Sequence, residues 1–376
     1  MKVMVALGTR PEAIKLAPVI QALQPKAEVI VCSTGQHREM LSQALQAFGI
    51  VPDVNLDTMS PGRSLNILAS RQLEAMDGVL EAYQPDWVLV QGDTTTAFCA
   101  GLAAFHRGIR VGHVEAGLRT GDLKNPFPEE ANRSLLARIA TLHFAPTRNA
   151  ADALKKEGVE SPAIRITGNT LVDTVSSIRA DWPDGMPSSL PAAVRELIGT
   201  GRPIVMVTCH RRENFGGVME GICQMLSRLC ADYPNHQWIF PVHLNPNVRE
   251  PVMRILTDIP NLHLLDPVDY NTSLYLISKS QLIVSDSGGI QEEAPTFGTP
   301  VVVMRQRTER MEGVDAGFAT LAGQDPIEIE MSVKHWLGDL EAKKRLAGRQ
   351  NPYGDGFAAK RIVAALTGEL MCEFDG

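Results

Sequence analysis

The sequence predicts an α/β protein built from two doubly wound domains, each with a parallel sheet, and a cleft between them. Short apolar runs of strand length alternate with longer, helix-compatible stretches along the chain. This alternation is typical of β-α-β units, in which helices cover both faces of a parallel sheet. The chain has 376 residues, more than one hydrophobic core usually contains, so two domains are expected.

In the first half, each predicted strand is followed by polar residues and then by a helix-compatible stretch. The run from Val3 to Leu7 is apolar enough for a buried parallel strand, and Pro11 suits the first turn of the helix that follows. A second helix is predicted at 37–48 and a loop at 61–63. The other strands of this half are predicted at 28–32, 87–90, 111–114 and 164–166.

The stretch 182–187, with two prolines and a glycine, is the predicted linker to a second βα series. Strands are predicted there at 203–208, 238–242, 282–284 and 300–304. Ligands of such folds bind at the carboxyl ends of the strands. Since polar motifs follow the strands in both halves, we expect these motifs to face the cleft.

The stretch 282–295 combines an apolar strand, a glycine turn and the start of a helix. Backbone N–H groups at a helix start attract anions, and Gly288 and Gly289 leave room for one to approach. Ser287 adds a hydroxyl donor, and the Glu293 carboxylate suits the hydroxyls of an attached sugar. These residues favour a nucleotide diphosphate, although an ordinary turn capped by Ser287 explains them equally well.

Composition excludes several classes of function. The net charge of −7 disfavours nonspecific binding to nucleic acid or to an anionic membrane surface. The six cysteines include no Cys-x-x-Cys pair, which disfavours a thiolate zinc site. Strand-like residues begin at Lys2, and no apolar run is long enough to span a bilayer. We therefore expect a cytoplasmic protein.

Eight polar motifs are spread along nearly the whole chain, at 8–12, 36–38, 92–96, 113–119, 128–133, 210–214, 285–295 and 308–310. Together, and in family order, they resemble the non-hydrolysing UDP-N-acetylglucosamine 2-epimerases. The resemblance implies two Rossmann-like domains of the glycosyltransferase-B type, at 1–170 and 171–356, with a C-terminal helix at 357–376 packing back on the first. It also implies a homodimer that interconverts UDP-GlcNAc and UDP-ManNAc without a cofactor.

The resemblance assigns acid and base roles to Asp93, Glu115 and Glu129. Removing the C2 proton of the sugar becomes feasible when UDP leaves C1, and this reaction needs carboxylates to move protons. Each carboxylate also has an ordinary structural explanation. Asp93 could cap a helix, Glu115 could pair with Arg119, and Glu129 could stabilise a helix start.

The resemblance places Arg10, Lys15, His210 and Arg310 around the sugar and the departing phosphate. It gives Ser287, Gly288 and Gly289 to the phosphates and Glu293 to the ribose. The cations could instead form a solvated basic face, and His210 could be structural; no second histidine has ligand-like spacing, so no metal is expected. An activating second UDP-GlcNAc would meet a further set of residues, which could equally be ordinary polar surface: Gln36, Glu39, Glu130, Arg211 and His243.

Other functions remain open from the sequence. A hydrolysing epimerase would release ManNAc and UDP, a glycosyltransferase of the same architecture would need an acceptor, and a nucleotide-sugar sensor would bind without turnover. An NAD oxidoreductase is disfavoured, because Gly8-Thr9-Arg10 lacks the Gly-x-Gly-x-x-Gly spacing. Met311 stands where many family members have proline, so a less stiff Arg310 loop is expected. Val268 stands where a polar residue or leucine is common, so a side-chain contact with uracil is not predicted there.

Overall fold

The computed structural model describes residues 1–35, 38–58, 64–182 and 185–376, with the backbone alone at 38–40 and 43. The predicted loop at 61–63 therefore lies outside the described residues. The chain divides into two compact units. The first contains Met1–Thr174 and Tyr353–Gly376, and the second contains Val175–Pro352.

The first unit contains a seven-stranded parallel sheet in the order β3-β2-β1-β4-β5-β6-β7. Its strands are β1 (Lys2–Leu7), β2 (Glu28–Ser33), β3 (Val54–Asn55), β4 (Trp87–Gln91), β5 (Arg110–Val114), β6 (Leu142–Ala145) and β7 (Ile164–Ile166). Its helices are α1 (Arg10–Leu23), α2 (Arg38–Ala47), α3 (Leu65–Tyr83), α4 (Thr95–His106), α5 (Glu129–Ile139), α6 (Arg148–Lys156) and, from the end of the chain, α16 (Ala358–Thr367). The helix α7 (Thr170–Ala180) begins in this unit and continues into the second.

The second unit contains a six-stranded parallel sheet in the order β10-β9-β8-β11-β12-β13. Its strands are β8 (Ile204–Thr208), β9 (Gln237–Pro241), β10 (Leu262–Leu265), β11 (Ser280–Ser285), β12 (Val301–Val303) and β13 (Ala319–Leu321). Its helices are α8 (Ala192–Gly199), α9 (Gly217–Asp232), α10 (Pro246–Leu256), α11 (Tyr270–Lys279), α12 (Gly288–Glu293), α13 (Met311–Asp315), α14 (Pro326–Gly338) and α15 (Ala342–Leu346).

Both sheets therefore follow the strand order of dinucleotide-binding folds, and the predicted α/β class of two doubly wound domains is confirmed. The order reverses between β1 and β4 in the first sheet and between β8 and β11 in the second. Loops leave the sheet in opposite directions at such a point, which opens a crevice at the carboxyl ends of the strands.

The strands are apolar because helices bury both faces of each sheet. In the first unit, Val5 of β1 packs with Leu16 and Ile20 of α1 and with Ile362 of α16. In the second, Trp238 and Phe240 of β9 pack against helix residues such as Met225 and Leu226. None of the described helices combines the length and apolar character needed to cross a membrane.

Two expectations about the chain path differ from the structure. Trp182 is not a linker residue: its ring stacks on Phe297 at 6.1 Å, and its Nε1 donates to Asn271 Oδ1 at 2.7 Å within the second unit. The helix expected at 357–376 ends at Thr367, because Gly368 adopts a left-handed φ of 76°. The nonhelical residues after it pack along β7, where the Phe374 N–H donates to Ile166 O at 2.8 Å.

Two buried histidines lie side by side in the first sheet. His113 of β5 and His143 of β6 are partners in the strand register, and His113 Nε2 donates to Gly92 O at 2.8 Å. Burial lowers the pKa of His113 from 6.5 to about 3 and that of His143 to about 4. Both rings are therefore neutral in the folded protein near neutral pH.

We predict that these histidines make the fold sensitive to acid. Between pH 6.5 and about pH 4 the unfolded chain binds protons that the folded chain does not. The free energy of unfolding should therefore be highest above pH 6.5 and fall on acidification, by about 1.4 kcal/mol per pH unit for each histidine. Denaturant unfolding across this pH range measures that slope.

In His143→Asn the slope of the free energy of unfolding against pH should decrease by the contribution of one histidine. This holds whatever the stability of the variant at pH 7. His106 is exposed, so His106→Asn serves as the control and should keep the slope of the unmodified protein. An unchanged slope in His143→Asn would contradict the assignment.

Candidate active site

In the first unit, the turn after β1 is held by the buried carboxylate of Glu12. Its Oε2 accepts from the N–H groups of Gly8 at 3.0 Å and Thr9 at 2.7 Å, and its Oε1 accepts from Thr94 Oγ1 at 2.7 Å. Burial raises the pKa of Glu12, and these donors oppose the rise. Because Thr94 follows β4, this one side chain ties together the loops on both sides of the point where the strand order reverses.

Glu115 lies directly after β5 and contacts a cation. Its Oε1 is 2.6 Å from Lys15 Nζ of α1, and its Oε2 accepts from Gln91 Nε2 at the end of β4. The backbone of Glu115 has a φ of 62°, which is uncommon outside glycine and persists only when surrounding contacts hold it. The pairing with Arg119 considered from sequence is wrong, because Arg119 Nε pairs with Glu157 Oε1 at 2.7 Å.

Asp93 follows β4, one residue after Gly92, where the chain passes the Glu115 carboxylate. A Cβ on Gly92 would lie 3.8 Å from Glu115 Oε2. The helix-cap alternative for Asp93 is wrong, since Thr94 is the N-cap of α4 and its hydroxyl accepts from Ala97 N at 3.0 Å. The Asp93 side chain is 32% exposed and lies 3.7 Å from Arg133 Nη1. The described structure therefore leaves this carboxylate accessible at a strand end.

Two neighbouring glutamates open α5 but differ in environment. Glu129 is half-buried at the first helical position. Glu130 is buried, accepts from the N–H groups of Thr120 at 3.1 Å and Gly121 at 3.0 Å, and pairs with Arg133 Nε at 2.8 Å. Glu130 thus anchors the loop before α5. The family resemblance assigns Glu130 to the activator site and does not predict this structural contact.

Two of the remaining predicted residues of this unit, Arg10 and Glu39, lie at or near helix starts. Arg10 is the half-buried first residue of α1, where Thr9 and Glu12 form a capping box. Glu39 lies in α2, where the backbone alone is described, and Gln36 lies outside the described residues. Of the predicted residues, the first unit thus brings Lys15 and Glu115 into contact, and the loop that carries Asp93 lies beside this pair.

In the second unit, the buried carboxylate of Asp286 holds the loop after β8. Its Oδ2 accepts from His210 N at 2.9 Å, Arg211 N at 2.8 Å and Asn214 Nδ2 at 2.9 Å. Cys209 Sγ lies 3.3 Å from the same oxygen. Asp286 follows β11, so it connects the loops on both sides of the second reversal of strand order.

His210 presents a partly exposed ring beside this carboxylate. Its Nδ1 lies 3.2 Å from Asp286 Oδ1, and its side chain is 38% exposed. The ring stacks on His243, with centroids 5.9 Å apart. Burial lowers the pKa of His210, with Asp286 opposing the shift and Arg211 and His243 adding to it. The described residues include no cluster of His, Cys, Asp and Glu suited to a metal ion.

Three arginines gather near this loop. Arg310 Nε donates to Glu292 Oε1 at 2.7 Å and its Nη1 contacts Glu309, while Arg305 Nη1 donates to Glu309 Oε2 at 3.3 Å. Burial lowers the pKa of Arg211, and the charges of Arg305 and Arg310 lower it further. Within the described residues, Arg211 Nε is buried without a hydrogen-bond acceptor. An anion in contact with Arg211 would relieve this concentration of positive charge.

The glycine turn after β11 is built differently from the sequence expectation. Ser287 occupies the N-cap position of α12, but its hydroxyl forms no capping hydrogen bond, so the ordinary-cap alternative is wrong. A Cβ on Gly288 would lie 2.8 Å from Arg310 Cζ. Gly288 is therefore needed for the approach of the guanidinium. Glu293 Oε1 accepts from Tyr270 Oη at 2.9 Å.

Sequence reasoning missed several residues that shape these sites: Glu12, Gln91, Arg133, Tyr270, Asp286, Glu292, Arg305 and Glu309. Glu12 and Asp286 carried a usable signal, since both are acidic residues close to the end of an apolar strand. Gln91, Tyr270 and Glu292 act through contacts with residues distant in sequence. Arg133 and Glu309 instead pair with residues one to four positions away.

Comparisons with known proteins agree on one family. The family model described as UDP-N-acetylglucosamine 2-epimerase matches residues 21–367. The UDP-N-acetylglucosamine 2-epimerase of Yersinia pestis is 49% identical over 371 residues, covering 97% of this chain and 98% of that protein.

Solved structures extend this agreement to the fold. The Neisseria meningitidis UDP-GlcNAc 2-epimerase bound to UDP-GlcNAc is 42% identical with a TM-score of 0.90, covering 98% of this chain and 100% of that one. A Staphylococcus aureus protein in complex with UDP is 40% identical with a TM-score of 0.91, covering 100% of both chains. A glycosyltransferase of kitacinnamycin, 13% identical with a TM-score of 0.64, shares the fold alone. By the extent and identity of these matches, the chain belongs to the UDP-N-acetylglucosamine 2-epimerase family.

Proposed function

We propose that this protein interconverts UDP-GlcNAc and UDP-ManNAc by eliminating UDP and adding it back, without hydrolysing the sugar nucleotide. Membership of the 2-epimerase family supports the reaction at C2. The observation that carries the proposal is the carboxylate of Glu115, which lies between Lys15 and Gln91 beside the Asp93 loop. Such a site has acidic groups to move a proton and a cation to stabilise the charge that develops.

The elimination breaks two bonds of the sugar. A carboxylate takes the proton from C2, the electrons of that C–H bond form the C1=C2 double bond, and the C1–O bond breaks as UDP leaves. In the reverse step a UDP oxygen adds to C1 of the 2-acetamidoglucal, and a proton arrives at C2 from the opposite face. Asp93, Glu115 and Glu129 are the carboxylates proposed to move these protons, with Lys15 and Arg10 near the sugar.

The second unit is proposed to hold the nucleotide. His210, Arg211 and Arg310 would offset the negative charge of the diphosphate, and Ser287, Gly288 and Gly289 would donate to its oxygens. The Glu293 carboxylate, held by Tyr270, would accept from ribose hydroxyls. The arginine cluster supports this role, because its buried Arg211 Nε has no acceptor among the described residues. The activator site, with Arg211, His243, Glu130, Gln36 and Glu39, and the homodimer remain predictions.

The first test is product formation in D₂O. UDP-GlcNAc incubated with the protein alone should give UDP-ManNAc that carries deuterium at C2, because the proton that leaves is exchanged before another arrives. Proton NMR and mass spectrometry of the sugar nucleotide measure this incorporation. Formation of free ManNAc and UDP without UDP-ManNAc would identify a hydrolysing epimerase and overturn the proposal.

The second prediction concerns the base. Asp93→Asn keeps the size of the side chain but removes its basicity, so kcat should fall by roughly two to four orders of magnitude while UDP binding is retained. Asp152 lies on α6 of the same unit with its side chain 50% exposed, so Asp152→Asn is the matched control and should react at the unmodified rate. Normal C2 exchange in Asp93→Asn would transfer the role to Glu115 or Glu129.

The third prediction concerns the pH dependence of UDP binding. The pKa of free His210 lies below 6.5, and a bound diphosphate should raise it by favouring the imidazolium. Binding should therefore take up a proton, and the affinity of the unmodified protein relative to His210→Asn should increase as the pH falls from 8 to 6. Calorimetry in buffers of different ionisation enthalpy measures both quantities.

UDP itself also titrates in this pH range, but its contribution is the same for the unmodified protein and for each variant. Comparing their binding profiles therefore removes that contribution. His263→Asn is the control, because burial also lowers the pKa of His263, on β10 of the same unit. That variant should keep the unmodified profile. An identical profile in His210→Asn would show that His210 does not contact the diphosphate.

A further inference from the structure

The register of the second sheet places Asp286 opposite the loop that carries His210. Ser285 of β11 pairs with Thr208 of β8, and their hydroxyl oxygens lie 2.7 Å apart. One residue further along the two parallel strands are Asp286 and Cys209. The position of the Asp286 carboxylate is therefore fixed by the sheet, and its side chain is completely buried.

We propose that Asp286 is the positioning residue of His210: it fixes the His210 loop through its backbone amides and keeps the proton of the neutral imidazole on Nδ1, so that Nε2 is available to the diphosphate. The inference rests on the proposed function for the identity of the ligand. The orientation and the tautomer of the His210 ring are properties of the free protein, so they can be measured independently of the proposed function.

The hydrogen bonds to the loop favour a carboxylate at this position. Both oxygens of Asp286 face the His210 N–H, at 3.2 Å and 2.9 Å, and Oδ2 also accepts from Arg211 N and Asn214 Nδ2. An ionised carboxylate accepts at both oxygens, whereas the amide of asparagine would place an NH₂ group against some of these donors. A glutamate would need room for a further methylene in a fully buried site.

Asn214 extends the network beyond the carboxylate. Its Nδ2 also lies 3.3 Å from Met304 O after β12, and its Oδ1 accepts from Gln324 Nε2 at 2.9 Å. The loop is thus held to β11, to the end of β12 and to the segment after β13. A loop fastened at so many points holds its exposed side chain in one orientation, which is what a preorganised phosphate contact requires.

The contact with the ring decides the tautomer. Asp286 Oδ1 lies 3.2 Å from His210 Nδ1. A carboxylate oxygen can only accept, and a deprotonated Nδ1 can also only accept, so the contact is attractive when Nδ1 carries the proton. The neutral ring then has its lone pair on Nε2. The other groups that bear on the charge of the ring are Arg211 on the same loop and His243 after β9.

This arrangement suits the chemistry of a departing diphosphate. When Nε2 takes up a proton, the imidazolium donates to a phosphate oxygen while Asp286 stabilises its positive charge from the other side. Arg211 and His243 oppose protonation of the free ring. The ring is therefore expected to become charged chiefly when the anion is present.

The first experiment uses the unmodified protein, so it does not depend on a variant folding. Histidines are labelled with ¹⁵N, the His210 signals are assigned by their loss in His210→Asn, and the ring is titrated between pH 5 and 9. The inference expects the Nδ1–H tautomer at high pH. A ring that is predominantly the Nε2–H tautomer would overturn it.

The second experiment compares Asp286→Asn with Asp173→Asn. Asp173 is the matched control, since its carboxylate is also buried and accepts from two backbone N–H groups, those of Ala358 at 3.2 Å and Ala359 at 2.9 Å, in the first unit. In Asp286→Asn the pKa of His210 should fall further, the Nδ1–H preference should be lost, and kcat should drop by roughly 10- to 100-fold with a smaller change in KM.

Asp173→Asn should leave the tautomer and the pKa of His210 unchanged, even if it lowers thermal stability. It should also show no selective loss of kcat relative to the change in KM. An Asp286→Asn protein that keeps the tautomer, the pKa and kcat would refute the positioning role. If that variant does not fold, the ¹⁵N titration of the unmodified protein decides. Failure of UDP to bind the unmodified protein would count against the proposed function and would leave the tautomer result standing.

Discussion

At each reversal of strand order, one buried carboxylate joins two loops through its hydrogen bonds, and the arrangement of both candidate sites depends on this constraint. Glu12 joins the loops after β1 and β4, and Asp286 joins those after β8 and β11. A carboxylate buried without partners would cost several kcal/mol, so the surrounding amides and hydroxyls are required to offset its desolvation. Satisfied in this way, each carboxylate fixes loops that would otherwise have several conformations.

The two units use the same strand order but place this carboxylate differently. Glu12 lies in the first turn of α1 and reaches back to the strand end, whereas Asp286 lies at the strand end itself and reaches across to the next loop. The side chains near the strand ends also differ between the units. The first unit has the partly exposed Asp93 and the buried Lys15–Glu115 pair, and the second has the partly exposed His210 beside buried arginines. Under the proposed function, proton transfer and anion binding would fall to different units.

Charge balance explains why the second unit can hold several arginines close together. Glu292 and Glu309 pair with Arg310, and Glu309 also pairs with Arg305. Each of these guanidinium groups therefore has carboxylate neighbours that offset its desolvation. Arg211 differs from the other two, because Glu309 and Asp286 only partly offset the lowering of its pKa by burial, and its Nε lacks an acceptor among the described residues. A ligand carrying negative charge complements that position.

Strand positions and motif positions could be predicted from the sequence because they depend on local patterns. Apolar runs bounded by glycine and polar residues identified β1, β4, β5, β8 and β11, and the polar motifs at their ends identified the candidate site residues. Short elements such as β3 carried too few residues to show a pattern. The prolines and the glycine that follow Trp182 predict a linker there, whereas its ring packs within the second unit.

Sequence by itself thus determined the α/β class, the order of the elements and which side chains follow the strands, because hydrophobic periodicity and turn residues act over a few positions. Tertiary structure alone decided the partners: Lys15 with Glu115 across 100 residues, and Asp286 with the loop 72 to 76 residues before it. Such pairs depend on which strands become neighbours and in what register. The secondary-structure propensity of a residue contains no information about a hydrogen-bond donor that is distant in sequence and is brought close only when the whole sheet folds.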